Sequence, residues 1–126
     1  IQFALKKDLY KSVSAFSPIC SLYKSTFSKD MFSNYLDNNS DDLDLYDPIT
    51  LIKNSDKKFE SIKIDVGLND DFLKDLYIDD FIKACDETGQ KLIVSKHPGY
   101  DHGYYFINSF IDDHISYHVS ILKNID

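Results

Sequence analysis

The stretch Gly99-Tyr100-Asp101-His102-Gly103-Tyr104-Tyr105-Phe106 decides how the rest of the chain is interpreted. It places a histidine between a predicted strand over residues 91–96 and a long predicted helix over residues 103–124. In an open α/β sheet, the loops that follow the strands gather at the carboxyl edge, where ligands bind. The sequence therefore predicts that His102 lies at such an edge, held between a strand and a helix.

A second loop of the same kind follows a predicted strand over residues 61–66 and reads Gly67-Leu68-Asn69-Asp70-Asp71-Phe72-Leu73. One of its carboxylates could meet the His102 imidazole on neighbouring strand ends, which would supply two of the three groups of a catalytic triad. The residues alone do not choose between Asp70 and Asp71, because paired aspartates after a strand also serve in turns and caps. His102 could equally cap the helix that follows it.

Helices and strands are predicted to alternate through the rest of the chain, which is typical of βαβ units. Residues 1–7 resemble the end of a helix, residues 12–16 a short strand, and Asp47-Pro48 the start of another helix. Apolar side chains recur at helical spacing from Ile78 to Cys85, and Gly89 marks the end of that helix. The sequence therefore favours a parallel sheet covered by helices.

Four segments carry more specific expectations about exposure. Residues 61–66 alternate between apolar and polar side chains, which predicts a half-exposed strand, whereas Leu92-Ile93-Val94 predicts a buried one. Residues 38–44 are strongly polar and predict a surface loop. Tyr104, Tyr105 and Phe106 are interpreted as core and pocket wall.

Composition excludes several classes of protein. The 126 residues carry a net charge of -7, which argues against a nucleic-acid or anionic-membrane surface. No apolar run approaches the roughly 20 residues that span a bilayer, and no signal peptide is apparent.

The two cysteines, Cys20 and Cys85, have no metal or redox spacing, so a reduced cytoplasmic protein without a disulfide is expected. The first residue, Ile1, opens an apolar helical segment, so the chain is expected to begin inside a larger fold.

The other histidines are weaker candidates. His114 and His118 lie four residues apart on the predicted helix, a spacing that could hold zinc. No glutamate follows the first histidine as a general base and no third ligand is evident, so packing or surface roles are favoured. His97, before Pro98, is interpreted as a loop residue.

Several stretches together resemble a known family, the S-formylglutathione hydrolases, also called esterase D. The resemblance rests on residues 11–20, on the loops at residues 67–73 and 99–107, and on the shorter matches Ala84-Cys85 and Asp113-His114-Ile115. It implies an α/β fold, with residues 1–126 forming the C-terminal portion of a single α/β-hydrolase domain. The sheet would be mostly parallel, with helices on both faces.

The resemblance also implies roles for particular residues. The family's catalytic acid corresponds to Asp70 and its general base to His102. No serine here is flanked as in Gly-x-Ser-x-Gly, so the nucleophile and the oxyanion hole are expected upstream of Ile1. The implied reaction is hydrolysis of S-formylglutathione to formate and glutathione, with no metal or organic cofactor. The implied partners are the glutathione thioester and the N-terminal half of the same enzyme, and a homodimer is compatible with the resemblance.

Four residues depart from the family pattern. Phe27 stands where the family often has tryptophan, Ser21-Leu22 replaces Asn-Pro, and Gly103 replaces serine. They bear on acyl-group and glutathione specificity rather than on the type of reaction. Two alternatives stay open: a general carboxylesterase of the same fold, which would prefer simple esters, and a non-catalytic α/β module in which the two loops are relics.

Overall fold

The chain forms a three-layer α/β arrangement in the computed structural model, which describes residues 1–35 and 40–124. The elements in chain order are α1 Gln2–Lys6, β1 Val13–Phe16, α2 Thr26–Tyr35, α3 Ser40–Asp44, α4 Pro48–Asn54, β2 Ile62–Gly67, α5 Leu73–Leu76, α6 Ile78–Thr88, β3 Leu92–His97 and α7 Tyr104–Lys123. Each predicted strand is present, and each begins one residue later than predicted. Within the described residues, no helix is long and apolar enough to cross a membrane.

The three strands form one parallel sheet in the order β1-β2-β3. Val13 pairs with Ile62 and Ile62 pairs with Leu92, so the strands start level with one another. Because the strands are parallel and in register, the loops that follow β2 and β3 emerge side by side at the carboxyl edge. The predicted α/β class with a parallel sheet is confirmed.

One face of the sheet packs against α1, α4 and α6 and forms the apolar core. Ile62, Ile64 and Val66 of β2 are fully buried there. The helical spacing read from the sequence puts Phe81 and Cys85 of α6 into this core, and Gly89 ends α6 with φ of 75°, as a left-handed cap requires. The other predicted cap is also present, since the Asp47 carboxylate accepts a hydrogen bond from the Thr50 amide at 2.8 Å and starts α4.

The opposite face of the sheet lies beneath α7. The prediction that β2 is half exposed is wrong, because α7 covers the polar side of its alternating pattern. Asp65 on that side is buried, and Lys63 neutralises it at 2.8 Å. The alternation therefore separates an apolar core face from a polar but buried face, rather than a buried face from a wet one.

The prediction that β3 is buried is also wrong. β3 is an edge strand of the described sheet, so it is covered less completely than β2, and Ile93 is 40% exposed.

The prediction for the three aromatic residues at the start of α7 is right for one of them and wrong for two. Phe106 is buried as predicted, whereas Tyr104 and Tyr105 are 88% and 75% exposed because they lie on the outer side of the first turn of α7.

The predicted polar loop over residues 38–44 is only partly covered by the structure. Residues 38 and 39 lie outside the described residues. Ser40–Asp44 form the short helix α3, so the loop prediction is wrong for that part. Acidic residues are favourable in the first turn of a helix, so the polarity of this segment did not by itself indicate a loop.

Candidate active site

Two loops at the carboxyl edge are joined by their backbones. The Asn69 amide donates to the Tyr100 carbonyl at 2.9 Å, and the Gly99 amide donates to the Asn69 side chain at 2.9 Å. Gly67 is required at the start of the first loop, because a Cβ there would lie 2.3 Å from the Tyr100 carbonyl oxygen. Two hydrogen bonds therefore hold the loop after β2 against the loop after β3, and the close approach at Gly67 is one that only a glycine permits.

The structure brings Asp70 and His102 together across these loops. Oδ2 of Asp70 lies 2.7 Å from Nδ1 of His102, and Oδ1 of Asp70 accepts a hydrogen bond from the Phe72 amide at 2.8 Å. The Asp70 side chain is fully buried, whereas that of His102 is 46% exposed. Asp71, the other candidate, is exposed and makes no contact with the imidazole in the described part of the chain. The geometry therefore favours Asp70 over Asp71 as the carboxylate that orients His102.

His102 presents its second ring nitrogen to open space. No hydrogen bond engages Nε2 within residues 1–35 and 40–124, and the ring contacts Phe72 edge to face with 5.4 Å between centroids. An imidazole held at Nδ1 by a buried carboxylate and free at Nε2 can take up and return a proton at a fixed place. This pair can act as a general base and its orienting group.

A cavity of about 330 Å³ adjoins His102. Its walls are largely apolar and are lined by Ser17, Ile19, Phe27, Phe72, Asp75, Leu76 and His102. Ser17 follows β1 with φ of 42°, a left-handed conformation that is uncommon for a residue other than glycine. Sequence reasoning did not single out either Ser17 or Asp75. Ser17 lies within the stretch 11–20 that carries the resemblance but was given no role there, and Asp75 lies outside the matched stretches.

Asp75 ties this cavity to the start of α2. Its carboxylate accepts hydrogen bonds from the Ser25 hydroxyl at 2.7 Å and from the Thr26 amide at 2.8 Å. The Ser25 hydroxyl bond, followed by the Thr26 and Phe27 amide bonds, lowers the pKa of Asp75 from 3.8 to about 2. A carboxylate with this role at a helix start also interacts favourably with the helix dipole.

We expect this tether to persist well below the pH at which ordinary aspartates protonate. Because the folded pKa is depressed, the contribution to stability is present above pH 4 or so and is lost as the pH falls through about 2. In NMR titrations, the Asp75 carboxyl and the Thr26 amide should respond together with a midpoint near that value. Asp75→Asn is the control and should abolish the response at Thr26. A midpoint near 4 would show that the tether does not form.

The other histidines lie inside the protein rather than in a loop or at a metal site. The interpretation of His97 as a loop residue is wrong: it ends β3, and its Nε2 lies 2.6 Å from Asp65. The pairing of β3 with β2 through Gly67 extends the strand to that position. His114 contacts both Asp65 and Ser14 at 2.8 Å, and His118 contacts Ser14. The packing role favoured for His114 and His118 is therefore what the geometry shows.

Ser14, His114 and Asp65 resemble a serine triad in their connectivity. They do not form an accessible site, because His114 is 3% exposed where α7 packs on the sheet, and the Ser14 hydroxyl also contacts His118. Burial also lowers the pKa of His114, although hydrogen bonding to Asp65 opposes that shift. Within the described residues, no group of three or more histidine, cysteine or acidic side chains could hold a metal ion.

The parallel sheet with helices on both faces, and with an aspartate and a histidine on successive strand-end loops, is the C-terminal part of an α/β-hydrolase. The chain belongs to the esterase family, because the family model described as "Putative esterase" matches residues 3–117. The resemblance found in the sequence is confirmed by named relatives. A curated S-formylglutathione hydrolase from Arabidopsis thaliana is 43% identical over 117 residues, which are 92% of this chain and 41% of that protein.

Solved structures agree with this assignment. An S-formylglutathione hydrolase from Agrobacterium tumefaciens superposes with a TM-score of 0.89 at 34% identity, over 96% of this chain and 44% of that one. An acylaminoacyl peptidase from Pyrococcus horikoshii shares the fold alone, with a TM-score of 0.68 at 15% identity, over 97% of this chain and 22% of that one. The chain therefore spans about two fifths of the length of the S-formylglutathione hydrolases that it matches.

Proposed function

We propose that this chain supplies the acid and the base of a serine thioesterase that hydrolyses S-formylglutathione to formate and glutathione. The observation that carries the proposal is the 2.7 Å contact between Asp70 and His102 at the carboxyl edge of a parallel sheet. Membership of the esterase family and the names of the relatives support the reaction class. No metal or organic cofactor takes part in the proposed reaction.

In the proposed mechanism, a serine upstream of Ile1 attacks the thioester carbonyl while Nε2 of His102 takes its proton. Asp70 holds the Nδ1–H tautomer and stabilises the imidazolium that forms. His102 then gives its proton to the leaving thiolate of glutathione. Next, His102 takes a proton from a water molecule, which attacks the formyl carbonyl. His102 then returns that proton to the serine oxygen as the acyl–oxygen bond breaks and formate leaves. Backbone donors that stabilise the tetrahedral oxyanion would also come from the upstream portion.

Substrate comparison with the full-length protein tests this function. We expect kcat/KM for S-formylglutathione to exceed that for p-nitrophenyl acetate. The opposite preference would favour the general carboxylesterase of the same fold. Absence of both activities would favour the non-catalytic module, in which Asp70 and His102 make their hydrogen bond without a nucleophile to activate.

The proposal extends to the domain and its partners. Residues 1–126 would be the C-terminal portion of a single α/β-hydrolase domain in the cytoplasm, completed by the N-terminal portion of the same enzyme. The exposed side chains of α7 support this, since Ile111, Ile115, Val119 and Leu122 are apolar and uncovered. A homodimer of the full-length protein is a further proposal, which sedimentation analysis would test.

Residues 1–126 expressed alone should therefore aggregate or stay soluble only at low concentration. β1 has a neighbour on one side only among the described strands, and an unpaired strand edge next to an exposed apolar helix face promotes association between chains. Light scattering should detect the aggregates, and co-expression with the upstream portion should reduce them. An isolated chain that is monodisperse and does not bind the upstream portion would contradict the proposed domain arrangement.

A further inference from the structure

A buried carboxylate lies on the sheet beneath α7, outside the Asp70–His102 pair. The Asp65 side chain is 2% exposed and accepts three hydrogen bonds from nitrogen donors. Lys63 Nζ lies 2.8 Å from Oδ2, His114 Nε2 lies 2.8 Å from Oδ2, and His97 Nε2 lies 2.6 Å from Oδ1. The donors come from β2, β3 and α7, so one side chain links three elements.

Two of these donors flank the loop that carries His102. His97 is the last residue of β3, and α7 begins at Tyr104, so residues 98–103 span the gap between two elements that are both attached to Asp65. Phe110 of α7 stacks on the His97 ring, with 3.7 Å between centroids and 22° between planes. The end of β3 and the first turns of α7 are therefore held against each other and against β2.

β2, the strand that carries Asp65, also leads into the loop that carries Asp70. Asp65 lies five residues before Asp70, and β2 ends at Gly67 between them. The hydrogen bonds of Asp65 therefore fix β3 and α7 relative to the strand from which the Asp70 loop departs. A shift of β3 or α7 along β2 would move His102 Nδ1 away from the Asp70 carboxylate, which is itself anchored by the Phe72 amide.

The hydrogen bonds of His114 and His118 can all be satisfied with neutral imidazoles. His114 Nε2–H donates to Asp65, and its Nδ1 accepts from the Ser14 hydroxyl at 2.8 Å. The Ser14 oxygen accepts from His118 Nε2–H, and His118 Nδ1 accepts from the Ser12 hydroxyl at 2.6 Å. Burial lowers the pKa of both His114 and His118, in agreement with this assignment. Lys63 pairs with the charge of Asp65 at 2.8 Å.

We infer that Asp65 is a positioning residue for His102, holding the two ends of the 98–103 loop so that Nδ1 of His102 stays against Asp70. The expected effect on kcat rests on the proposed function. The expected effect on the contact between His102 and Asp70 does not. Packing alone does not require such a group, since apolar side chains of similar volume usually stabilise a buried face equally well. A fully satisfied network of directed bonds adds a fixed geometry, which a general base needs.

The first test is Asp65→Asn in the full-length protein. The asparagine keeps the shape but offers only one acceptor oxygen to three donors, so the loop ends should separate. We expect kcat for S-formylglutathione to fall about 10- to 100-fold while KM stays within about twofold, because misplacing a catalytic group affects the chemical step. In NMR spectra, the far-downfield proton resonance between His102 and Asp70 should broaden or shift. An unchanged resonance and an unchanged kcat would overturn the inference.

A second pair of variants covers the case in which Asp65→Asn fails to fold. His97→Gln keeps an N–H donor that can reach Asp65, whereas His97→Ala removes it. We expect His97→Gln to retain near-normal kcat and the downfield resonance, and His97→Ala to lose both in a protein that still folds. Equal behaviour of these two variants would overturn the inference.

Tyr117→Phe is the matched control for weaker attachment of α7 to the sheet. It removes the 2.6 Å bond from the Tyr117 hydroxyl to the Ser61 carbonyl, which also ties α7 to the sheet but lies away from the His102 loop. We expect a lower thermal midpoint with kcat and the downfield resonance unchanged. If Tyr117→Phe lowers kcat as much as His97→Ala does, Asp65 acts only through general stability. A wild-type protein without thioesterase activity would refute the proposed function, while the resonance would still test the positioning role.

Discussion

Replacing His102 with alanine in the full-length protein is expected to lower kcat for S-formylglutathione hydrolysis by about 10⁴-fold or more. The reason is that His102 is the proposed base for both the acylation and the deacylation step. Without it, neither the serine nor the water would lose its proton at neutral pH. Stopped-flow or steady-state assays of thioester hydrolysis would measure the loss, and any residual rate would reflect substrate binding and the oxyanion donors.

The fold should survive this substitution. The His102 side chain is 46% exposed and contributes one hydrogen bond and an edge contact with Phe72. The thermal midpoint of His102→Ala should therefore stay close to that of the wild type, which separates a catalytic defect from unfolding. Thioester hydrolysis at a near-normal rate in this variant would mean that another group serves as the base and that the proposed triad is wrong.

The sequence predicted the parts of the site that depend on local signals. An alternating segment located β2 and a short apolar run located β3, each to within one residue, and parallel strands necessarily bring their following loops to one edge. The choice of Asp70 over Asp71 had a different origin. Spacing and composition left both residues open, and the resemblance to a known family favoured Asp70. The structure gives a physical reason for the preference, since Asp70 is buried against His102 and Asp71 is exposed.

What the sequence did not predict depends on packing between distant segments. The polar side of β2 looked solvent exposed because alternation has the same pattern whether water or a polar helix face covers it. Asp65 became a buried group only because His97 and His114, 32 and 49 residues away, converge on it. A signal was present in the pairing of a charged strand face with histidines spaced four apart on the last helix. Without the topology, that signal could not be distinguished from a surface pattern.

Asp70→Asn is expected to lower kcat in the full-length protein by about 10⁴-fold. The amide has nearly the shape of the carboxylate, so the loop after β2 should keep its conformation and its bond from the Phe72 amide. The substitution removes the negative charge that stabilises the imidazolium, and an amide N–H directed at Nδ1 would favour the wrong tautomer of His102. KM should change little, because Asp70 is buried behind the histidine and does not face the cavity of about 330 Å³.

Asp71→Asn is the matched control for this prediction. It makes the same chemical change one residue further along the same loop, at an exposed position that does not contact His102. We expect kcat, KM and the thermal midpoint of Asp71→Asn to match those of the wild type. If Asp71→Asn abolished thioester hydrolysis and Asp70→Asn preserved it, the acid would be assigned to the wrong residue. If both variants stayed active, His102 would not need a carboxylate partner, and a triad mechanism would have to be abandoned.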